Sequence, residues 1–277
     1  MKIIESPRDG FQGIKDFIPT KVKIEYINLL LHAGFDTVEV GSFVSEKAIP
    51  QMRDTAEVLG GLDLTRTTSK IMVLAGNSKG AQPAAEFSQV DDIIYPFSVS
   101  PTFLRKNINS DFEKSKTEIN KILEICFKYN KRLIVYLTMG FGNPYGDPWS
   151  PGIVEEWTGY LYNLGQRIIP LSDILGNVTP EIITSVYSRL IKSFPDVEFG
   201  IHLHAHPGIY YDKVDAAYKC GVRRFDSVVG GIGGCPMADD ELVGNLNTFD
   251  LIEYCEKSAI NHSISLPVLR KARNFKF

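Results

Sequence analysis

The chain has 277 residues, and its 30 lysines and arginines stand against 33 aspartates and glutamates, which gives a formal net charge of −3. Its 44% of apolar and 23% of charged residues are typical of a globular protein and exclude a disordered or collagen-like chain. Because the charge is nearly balanced and no basic run occurs, we expect no nucleic-acid partner. The length allows one or two domains, and one domain is sufficient because a single α/β barrel takes about 250 residues.

The cysteines indicate a reducing compartment. Four are present, with no C-x-x-C spacing, at Cys126, Cys220, Cys235 and Cys255. A chain of this length does not need disulfides in place of a core, so we expect free thiols and a cytoplasmic protein. The strand-like opening, followed by Pro7-Arg8-Asp9, leads us to expect no signal or transit peptide. No apolar stretch approaches the ~18–20 residues that cross a bilayer, so we expect no membrane partner.

Short β-branched runs alternate with longer amphipathic segments, without a linker or a low-complexity segment between them. Strands are predicted at residues 2–5, 37–40, 70–74, 92–95, 133–137, 167–171, 198–204 and 224–228. Helices are predicted at residues 20–33, 78–87, 111–129, 151–164, 180–193, 211–219 and 248–258. Because parallel strands need a crossover, which is most often a helix, this alternation predicts one (β/α)8 TIM barrel. The barrel would span about 2–260 of the single domain 1–277, with a C-terminal tail at 261–277.

An open doubly wound sheet is the alternative fold. Its dinucleotide-binding form needs G-x-G-x-x-G after the first strand, where this chain has Pro7-Arg8-Asp9-Gly10-Phe11-Gln12. No G-x-x-x-x-G-K-[ST] motif occurs in the sequence either. The barrel is therefore the better prediction.

Polar residues fall where a barrel builds its active site, at the carboxyl ends of the strands and on the loops that follow. They come from five of the predicted strand ends: Arg8, Asp9, Glu39, Asp173, His202, His204, Cys235 and Asn245. The strands were assigned from apolar pattern alone, yet these residues would meet at one mouth.

His202 and His204 are two apart on a predicted strand, so both side chains would share one face. Three of the five histidines lie within residues 202–206, which favours a metal-ligand pair over histidines held by ordinary hydrogen bonds. Asp9 and Asn245 could add oxygen ligands, and such a set suits Mg²⁺ or Mn²⁺ better than a closed structural zinc site. The tripeptide Arg8-Asp9-Gly10 also fits a simple turn with a salt bridge.

The other candidates each have a structural alternative. The glycine-rich run 230–236 either forms a mobile loop that presents Cys235 or a long packed turn. Glu39 and Asp173 are lone carboxylates, which serve as structural hydrogen-bond acceptors more often than as catalysts. The turn-forming run 140–146 is interpreted as structural.

Several motifs resemble 3-hydroxy-3-methylglutaryl-CoA lyase, of the DRE-TIM metallolyase superfamily, over roughly residues 3–251. They are Arg8-Asp9-Gly10-Phe11-Gln12, Val38-Glu39-Val40-Gly41-Ser42-Phe43-Val44-Ser45, Ile49-Pro50-Gln51-Met52, His202-Leu203-His204, and the stretch from Gly233-Gly234-Cys235-Pro236 to Gly244-Asn245-Leu246. The Ser42-to-Ser45 block and the Gly-Gly-Cys-Pro loop distinguish the lyase from the synthases of the superfamily.

The resemblance implies a retro-Claisen cleavage of a 3-hydroxy-3-methylglutaryl thioester to acetoacetate and acetyl-CoA. It implies roles for the following residues: Asp9, His202, His204 and Asn245 as ligands of Mg²⁺ or Mn²⁺, Arg8 at the enolate oxygen, Cys235 as proton donor, Glu39 and Asp173 as carboxylates that position the site, and His202 also among the catalytic residues. The anionic CoA would find cations at Lys15, Arg105 and Lys106.

One departure from the family motif keeps other functions open. The histidine pair is followed by Ala205-His206-Pro207-Gly208, where the family has Asp-Thr-x-Gly. A related aldolase or lyase for another hydroxyacyl-CoA or hydroxy-oxo acid is the first alternative, and a barrel that binds a metabolite without converting it is the second. A homodimer is also possible, with Phe275 and Phe277 of the tail packed either on a neighbouring copy or on their own chain.

Overall fold

The computed structural model describes residues 1–204, 208–233 and 243–277. Eight parallel strands form a closed barrel in chain order, and β8 pairs with β1 to complete it. The strands are β1 (Lys2–Glu5), β2 (Thr37–Ser42), β3 (Lys70–Leu74), β4 (Asp92–Ser98), β5 (Arg132–Thr138), β6 (Ile168–Asp173), β7 (Glu198–Leu203) and β8 (Arg224–Ser227). The predicted (β/α)8 barrel is confirmed.

Helices surround the barrel. They are α1 (Pro7–Gln12), α2 (Thr20–Leu31), α3 (Thr55–Gly60), α4 (Ser78–Glu86), α5 (Pro101–Ile108), α6 (Phe112–Tyr129), α7 (Pro151–Asn163), α8 (Pro180–Ser193), α9 (Tyr211–Cys220), α10 (Thr248–Lys257) and α11 (Leu266–Arg273). All the predicted helices are present, with both ends within about two residues of the predicted limits. None of the helices in the part of the chain that the structure describes is long and apolar enough to cross a membrane.

The helix starts follow ordinary capping chemistry. The side chains of Asn77, Ser100 and Asp111 accept hydrogen bonds from backbone N–H groups in the first turns of α4, α5 and α6. Helix α1 instead begins at Pro7, which needs no N–H partner at this position. The simple turn predicted at residues 8–10 is wrong, because these residues form part of α1, but the salt bridge predicted with it is present between Arg8 and Asp9, at 2.9 Å.

The two ends of the barrel differ in character. At the amino ends of the strands, Arg132 donates two hydrogen bonds to the buried Asp92, at 2.7 and 2.6 Å, and Lys2 pairs with Glu198. The middle is filled by a separate apolar cluster made of Ile4, Met72, Ile94, Ile134 and Tyr136. These groups fill the interior of the barrel at its amino end, and the cavity that contains the polar strand-end residues opens at the carboxyl ends, where a barrel carries its active site.

The C-terminal tail packs on its own chain. The ring of Phe277 lies 4.8 Å from that of Tyr26 in α2 and 5.4 Å from that of Phe11 in α1, between centroids. Phe275 contacts Tyr26 at 5.2 Å. Of the two expectations for the tail, the structure shows the packing within the chain, and this packing supports α1 from outside.

Candidate active site

A cavity of about 920 Å³ opens at the carboxyl ends of the barrel strands. Its inner part is lined by Arg8, Asp9, Glu39, His202 and His204, among others. These five residues come from α1, β2 and the end of β7, so distant parts of the sequence meet at one place. The volume is in the range of small-molecule sites in proteins.

Arg8 is held in the cavity wall by three side chains. Its Nε donates to Oε1 of Glu39 at 2.7 Å, and one terminal nitrogen donates to Oδ1 of Asp9 at 2.9 Å and to Oε1 of Gln12 at 2.6 Å. Burial lowers the pKa of Arg8, but the charges of Glu39 and Asp9 outweigh burial and raise it. The guanidinium is therefore charged, fixed in direction and next to the cavity.

Strand β2 is irregular next to Glu39, the partner of Arg8. The register of β2 against β3 shifts between Glu39 and Gly41, which marks a β-bulge of the kind common beside active sites. Burial raises the pKa of Glu39, and the charge of Arg8 opposes that rise. Glu39 thus lines the cavity chiefly as the acceptor that orients Arg8.

Asp9, His202 and His204 form a compact group of possible metal ligands. One ligand atom from each lies within 4.8 Å of the other two, and Nε2 of His202 is 3.7 Å from Oδ2 of Asp9. Burial raises the pKa of Asp9, but the charges of Arg8 and His202 outweigh burial and lower it. The group therefore combines an ionised carboxylate with two imidazoles.

Both imidazoles are oriented from behind. Nδ1 of His204 is 2.7 Å from the carbonyl oxygen of Ile174, and Nδ1 of His202 is 3.3 Å from Oδ2 of Asp226. A carbonyl can only accept, so Nδ1 of His204 carries the hydrogen and Nε2 keeps the lone pair. Burial lowers the pKa of His204 to about 4, which keeps the ring neutral, as a metal ligand must be. Burial also lowers the pKa of His202, but the bond to Asp226 and the charge of Asp9 raise it overall.

Asn245, the fourth predicted ligand, lies next to this group. It is buried, its backbone pairs with that of His204 in an isolated β-bridge, and its Nδ2 donates to the carbonyl of Ile232 at 3.0 Å. Among the residues that the structure describes, neither Oδ1 of Asn245 nor Nε2 of His204 has a hydrogen-bond partner. Buried polar atoms are rarely left without a partner. These two atoms without partners, together with Asp9 and His202, are therefore suitable ligands for a divalent metal.

Two residues behind the histidines had not been singled out in the sequence. Asp226 is buried on β8, and the hydroxyl of Tyr136 on β5 donates to its Oδ2 at 2.8 Å. Gln12, which holds Arg8, was quoted in the sequence only as the end of the Arg8-to-Gln12 motif and was given no role. The available signals were the i, i+4 spacing of Arg8 and Gln12 on α1 and the position of Asp226 on the inward face of a strand.

The remaining predicted residues lie in different places. Asp173 is buried at the end of β6 and accepts hydrogen bonds from the backbone N–H groups of Gly176 and Val178. Its carboxylate therefore bonds to the turn that follows β6. Cys235 lies outside the described residues. The described part of the glycine run packs closely on α1, since a Cβ on Gly233 would stand 2.8 Å from Cα of Gly10.

The outer part of the cavity is lined by apolar side chains and by two lysines. Phe43, Pro83 and Phe103 line it together with Lys79 and Lys106. Among the predicted CoA contacts, Lys106 thus lies at the cavity, and its ammonium also stands 4.6 Å from the ring centroid of Tyr145. Arg105 donates to Oγ1 of Thr102 at 2.9 Å, and Lys15 is exposed after α1. Neither of these two lines the cavity within the described ranges.

Comparison with known proteins places this site in a family. The family model described as HMGL-like matches residues 1–275. The mitochondrial hydroxymethylglutaryl-CoA lyase of Homo sapiens is 35% identical over 276 residues, which cover 99% of this chain and 84% of that protein. The cytoplasmic 3-hydroxy-3-methylglutaryl-CoA lyase of Rattus norvegicus is 33% identical, with 99% and 80% covered.

Solved structures of HMG-CoA lyases have the same fold as this chain. An HMG-CoA lyase from Acinetobacter baumannii, in complex with coenzyme A and 3-methylmalate, superposes with a TM-score of 0.91 at 32% identity, covering 98% of this chain and 88% of that one. The HMG-CoA lyase from Brucella melitensis gives a TM-score of 0.91 at 30% identity, with 99% and 96% covered. The likeness extends over almost the full length in sequence and in fold, and the chain therefore belongs to the HMGL-like family, together with the hydroxymethylglutaryl-CoA lyases.

Proposed function

We propose that this chain is a divalent-metal-dependent lyase that cleaves 3-hydroxy-3-methylglutaryl-CoA to acetoacetate and acetyl-CoA by a retro-Claisen reaction. The observation that carries the proposal is the position of the charged Arg8 beside the Asp9–His202–His204 group in one cavity. Family membership and the relatives named as lyases support the same reaction.

The metal of this proposal is Mg²⁺ or Mn²⁺, held by Asp9, His202, His204 and Asn245. Two imidazoles with two oxygen donors suit such an ion when positions stay open for substrate oxygens. Bound there, the ion would supply positive charge that acidifies and orients the tertiary hydroxyl of the substrate.

Arg8 would stabilise the charge that develops on the thioester. When the bond between C2 and C3 breaks, its electron pair moves onto the thioester as an enolate, while C3 becomes the ketone of acetoacetate. A guanidinium already fixed by Glu39, Asp9 and Gln12 reorganises little as that charge appears, which is the condition for electrostatic catalysis.

Two proton transfers complete the reaction. The hydroxyl of C3 loses its proton to a base, and C2 of the enolate gains one from an acid to give acetyl-CoA. We assign the acid to the thiol of Cys235, on the resemblance alone. We place His202 both among the metal ligands and among the catalytic residues. As the base for the hydroxyl it would need the Nε2 lone pair that also binds the metal, so its Nε2 could not serve in both roles at once.

CoA is the proposed carrier of the acyl group, in keeping with the related lyase solved in complex with coenzyme A. Lys106 and Lys79 line the outer part of the cavity and would attract the phosphates. Lys15 and Arg105 stay proposed contacts of CoA, although neither is among the described residues that line the cavity. We further propose a cytoplasmic location and a homodimer, which cell fractionation and light scattering of the purified protein would test.

The experiment is a direct assay. Purified protein is incubated with the thioester in the presence of Mg²⁺ or Mn²⁺, and acetoacetate and acetyl-CoA are quantified. We expect equal amounts of both products, loss of activity with EDTA and recovery when the metal is restored. Arg8→Met should lower kcat by about 10²–10³. Absence of products with bound metal would refute the assignment, and turnover of other hydroxyacyl-CoA or hydroxy-oxo acids in a parallel panel would favour the related-lyase alternative.

A further inference from the structure

The turn at residues 173–178, called here the β6 turn, fixes one imidazole of the proposed metal group. The carbonyl oxygen of Ile174 accepts the hydrogen of Nδ1 of His204, at 2.7 Å. The place of this carbonyl decides which ring nitrogen carries the hydrogen and where the lone pair of Nε2 points. Whatever holds the β6 turn therefore also orients His204.

Asp173 closes the β6 turn from within. Its side chain is buried and accepts hydrogen bonds from the backbone N–H groups of Gly176, at 3.1 Å, and Val178, at 3.3 Å. A short polar side chain that bonds the backbone a few residues ahead stabilises a turn. The carboxylate thus acts on the turn, and its two oxygens are used there.

Lys213 fastens the same turn from outside. It projects from α9, is buried, and donates from Nζ to the carbonyl oxygen of Gly176 at 2.7 Å; Nζ also lies 3.8 Å from Oδ2 of Asp173. A buried ammonium is costly unless it is paired and hydrogen-bonded, and both conditions hold here. Lys213 therefore ties the β6 turn to α9 by one hydrogen bond and one ion pair.

The β6 turn is packed against the residues that it would control. Gly176 has a φ of +69°, and a Cβ at this position would stand 2.6 Å from a methyl carbon of Val243 and 3.3 Å from the carbonyl oxygen of His204. Val243 precedes Asn245 by two residues. A displacement of the turn would thus be felt by two of the four proposed ligands.

We infer that Lys213, acting with Asp173, is a positioning residue for metal binding. The pair holds the β6 turn so that Ile174 keeps His204 in the tautomer with a hydrogen on Nδ1. The inference rests on the metal group of the proposed function and adds Lys213, which no feature of the sequence had singled out. It also gives Asp173 a role that acts through the turn.

The test compares Mn²⁺ dissociation constants, measured by isothermal titration calorimetry on the full chain. Lys213→Met should bind Mn²⁺ about tenfold more weakly or worse, the range seen when residues that orient metal ligands are lost. Lys213→Arg, which keeps a charged donor, should retain most of the affinity. Lys131→Met is the matched control, because Nζ of Lys131 also donates to backbone carbonyls, those of Phe87 and Val90, but far from the site. Equal affinities of Lys213→Met and Lys131→Met would overturn the inference.

A second readout needs neither metal nor substrate. Long-range ¹H–¹⁵N NMR of the histidine rings in the metal-free protein should show one tautomer for His204 in the wild type and a mixture in Lys213→Met. If that variant does not fold, Asp173→Asn is measured instead, with the same expectation. An unchanged single tautomer contradicts the inference. If the wild type binds no Mn²⁺, the proposed function fails, whereas the ring spectra still decide the role of Lys213.

Discussion

The hydroxyl of Tyr136 donates a hydrogen bond to the carboxylate of Asp226, 90 residues later in the chain. The same carboxylate oxygen lies 3.3 Å from Nδ1 of His202. The hydroxyl of Tyr136 and the imidazole of His202 thus meet at one oxygen of Asp226, and both side chains line the cavity. Groups behind a metal-binding histidine set its tautomer and raise its basicity.

This relationship predicts the effect of two substitutions on metal affinity. Asp226→Asn should weaken Mn²⁺ binding by about 10- to 100-fold, because a neutral amide attracts the hydrogen on Nδ1 of His202 less strongly than a carboxylate does. Tyr136→Phe should weaken it less, since Asp226 stays in place. Calorimetric titration with Mn²⁺ measures both. Full affinity in Asp226→Asn would show that His202 is oriented by other contacts.

The two lysines at the outer cavity predict a change in KM without a matching change in kcat. Lys79→Ala and Lys106→Ala should each raise the KM for the CoA thioester by about two- to fivefold, the effect of one exposed charge contact. A pantetheine thioester, which lacks the nucleotide phosphates, should show no such change. Steady-state kinetics at low ionic strength checks both substrates.

Lys128 offers a matched control for Lys106. Its ammonium lies 5.0 Å from the ring of Tyr129, much as that of Lys106 lies beside Tyr145, but it does not line the cavity. Lys128→Ala should leave both kinetic constants unchanged. A similar rise of KM in all variants would point to a general loss of charge and not to local contacts.

Glu5 predicts a pH dependence of stability. Burial raises the pKa of Glu5 from 4.5 to about 8, although it accepts hydrogen bonds from Thr248 and the backbone of Val229. The folded state then holds a proton that the unfolded chain releases. The contribution of this proton to stability is complete below pH 4.5 and is lost as the pH rises toward about 8.

Glu5→Gln removes this dependence, because the amide cannot ionise and can still accept from Val229 and face Thr248. The free energy of unfolding of the variant, minus that of the wild type, should therefore increase from about pH 5 to about pH 8 and then level off. Urea unfolding at several pH values measures the difference. If the free energies of unfolding of the variant and the wild type changed with pH in parallel, Glu5 would be ionised in the folded protein.

The barrel was predictable because its signal is local. Each strand and each long helix carries its own apolar period, so all eight strands and the predicted helices were found. Helix α1 was not predicted, because the six residues from Pro7 to Gln12 are too few to show a helical period, and Arg8, Asp9 and Gly10 also suit a turn. The site residues at strand ends could be proposed once the strands were known.

The partners of those residues were not predictable in the same way. Asp226 was assigned to a strand by its apolar neighbours, and a carboxylate inside a barrel has meaning only once Tyr136 and His202 stand next to it. Lys213 shows the same limit, because in the sequence it is simply one of the two lysines of an amphipathic helix, α9. Lys213 is buried against the β6 turn only because α9 packs next to the end of β6, which the sequence does not show.

The close approach of Gly233 to α1 predicts a coupling between the glycine run and the metal group. Gly233 has a φ of +87°, and a Cβ there would lie 2.6 Å from the carbonyl oxygen of Asp9 and 3.1 Å from Nδ2 of Asn245. Gly233→Ala should therefore lower the melting temperature and also weaken Mn²⁺ binding, since two proposed ligands must move.

Gly165→Ala separates backbone strain from this contact. Gly165 has nearly the same φ, +85°, but a Cβ there meets nothing within 4 Å. The free energy of unfolding of Gly165→Ala should fall by about 1–2 kcal/mol, the cost of a left-handed conformation for an L-residue. This variant should bind Mn²⁺ like the wild type. Differential scanning fluorimetry and calorimetry measure the two quantities. Gly233→Ala could instead lose only as much stability as Gly165→Ala and keep its Mn²⁺ affinity. That result would mean that α1 moves without displacing the metal ligands and that the prediction is wrong.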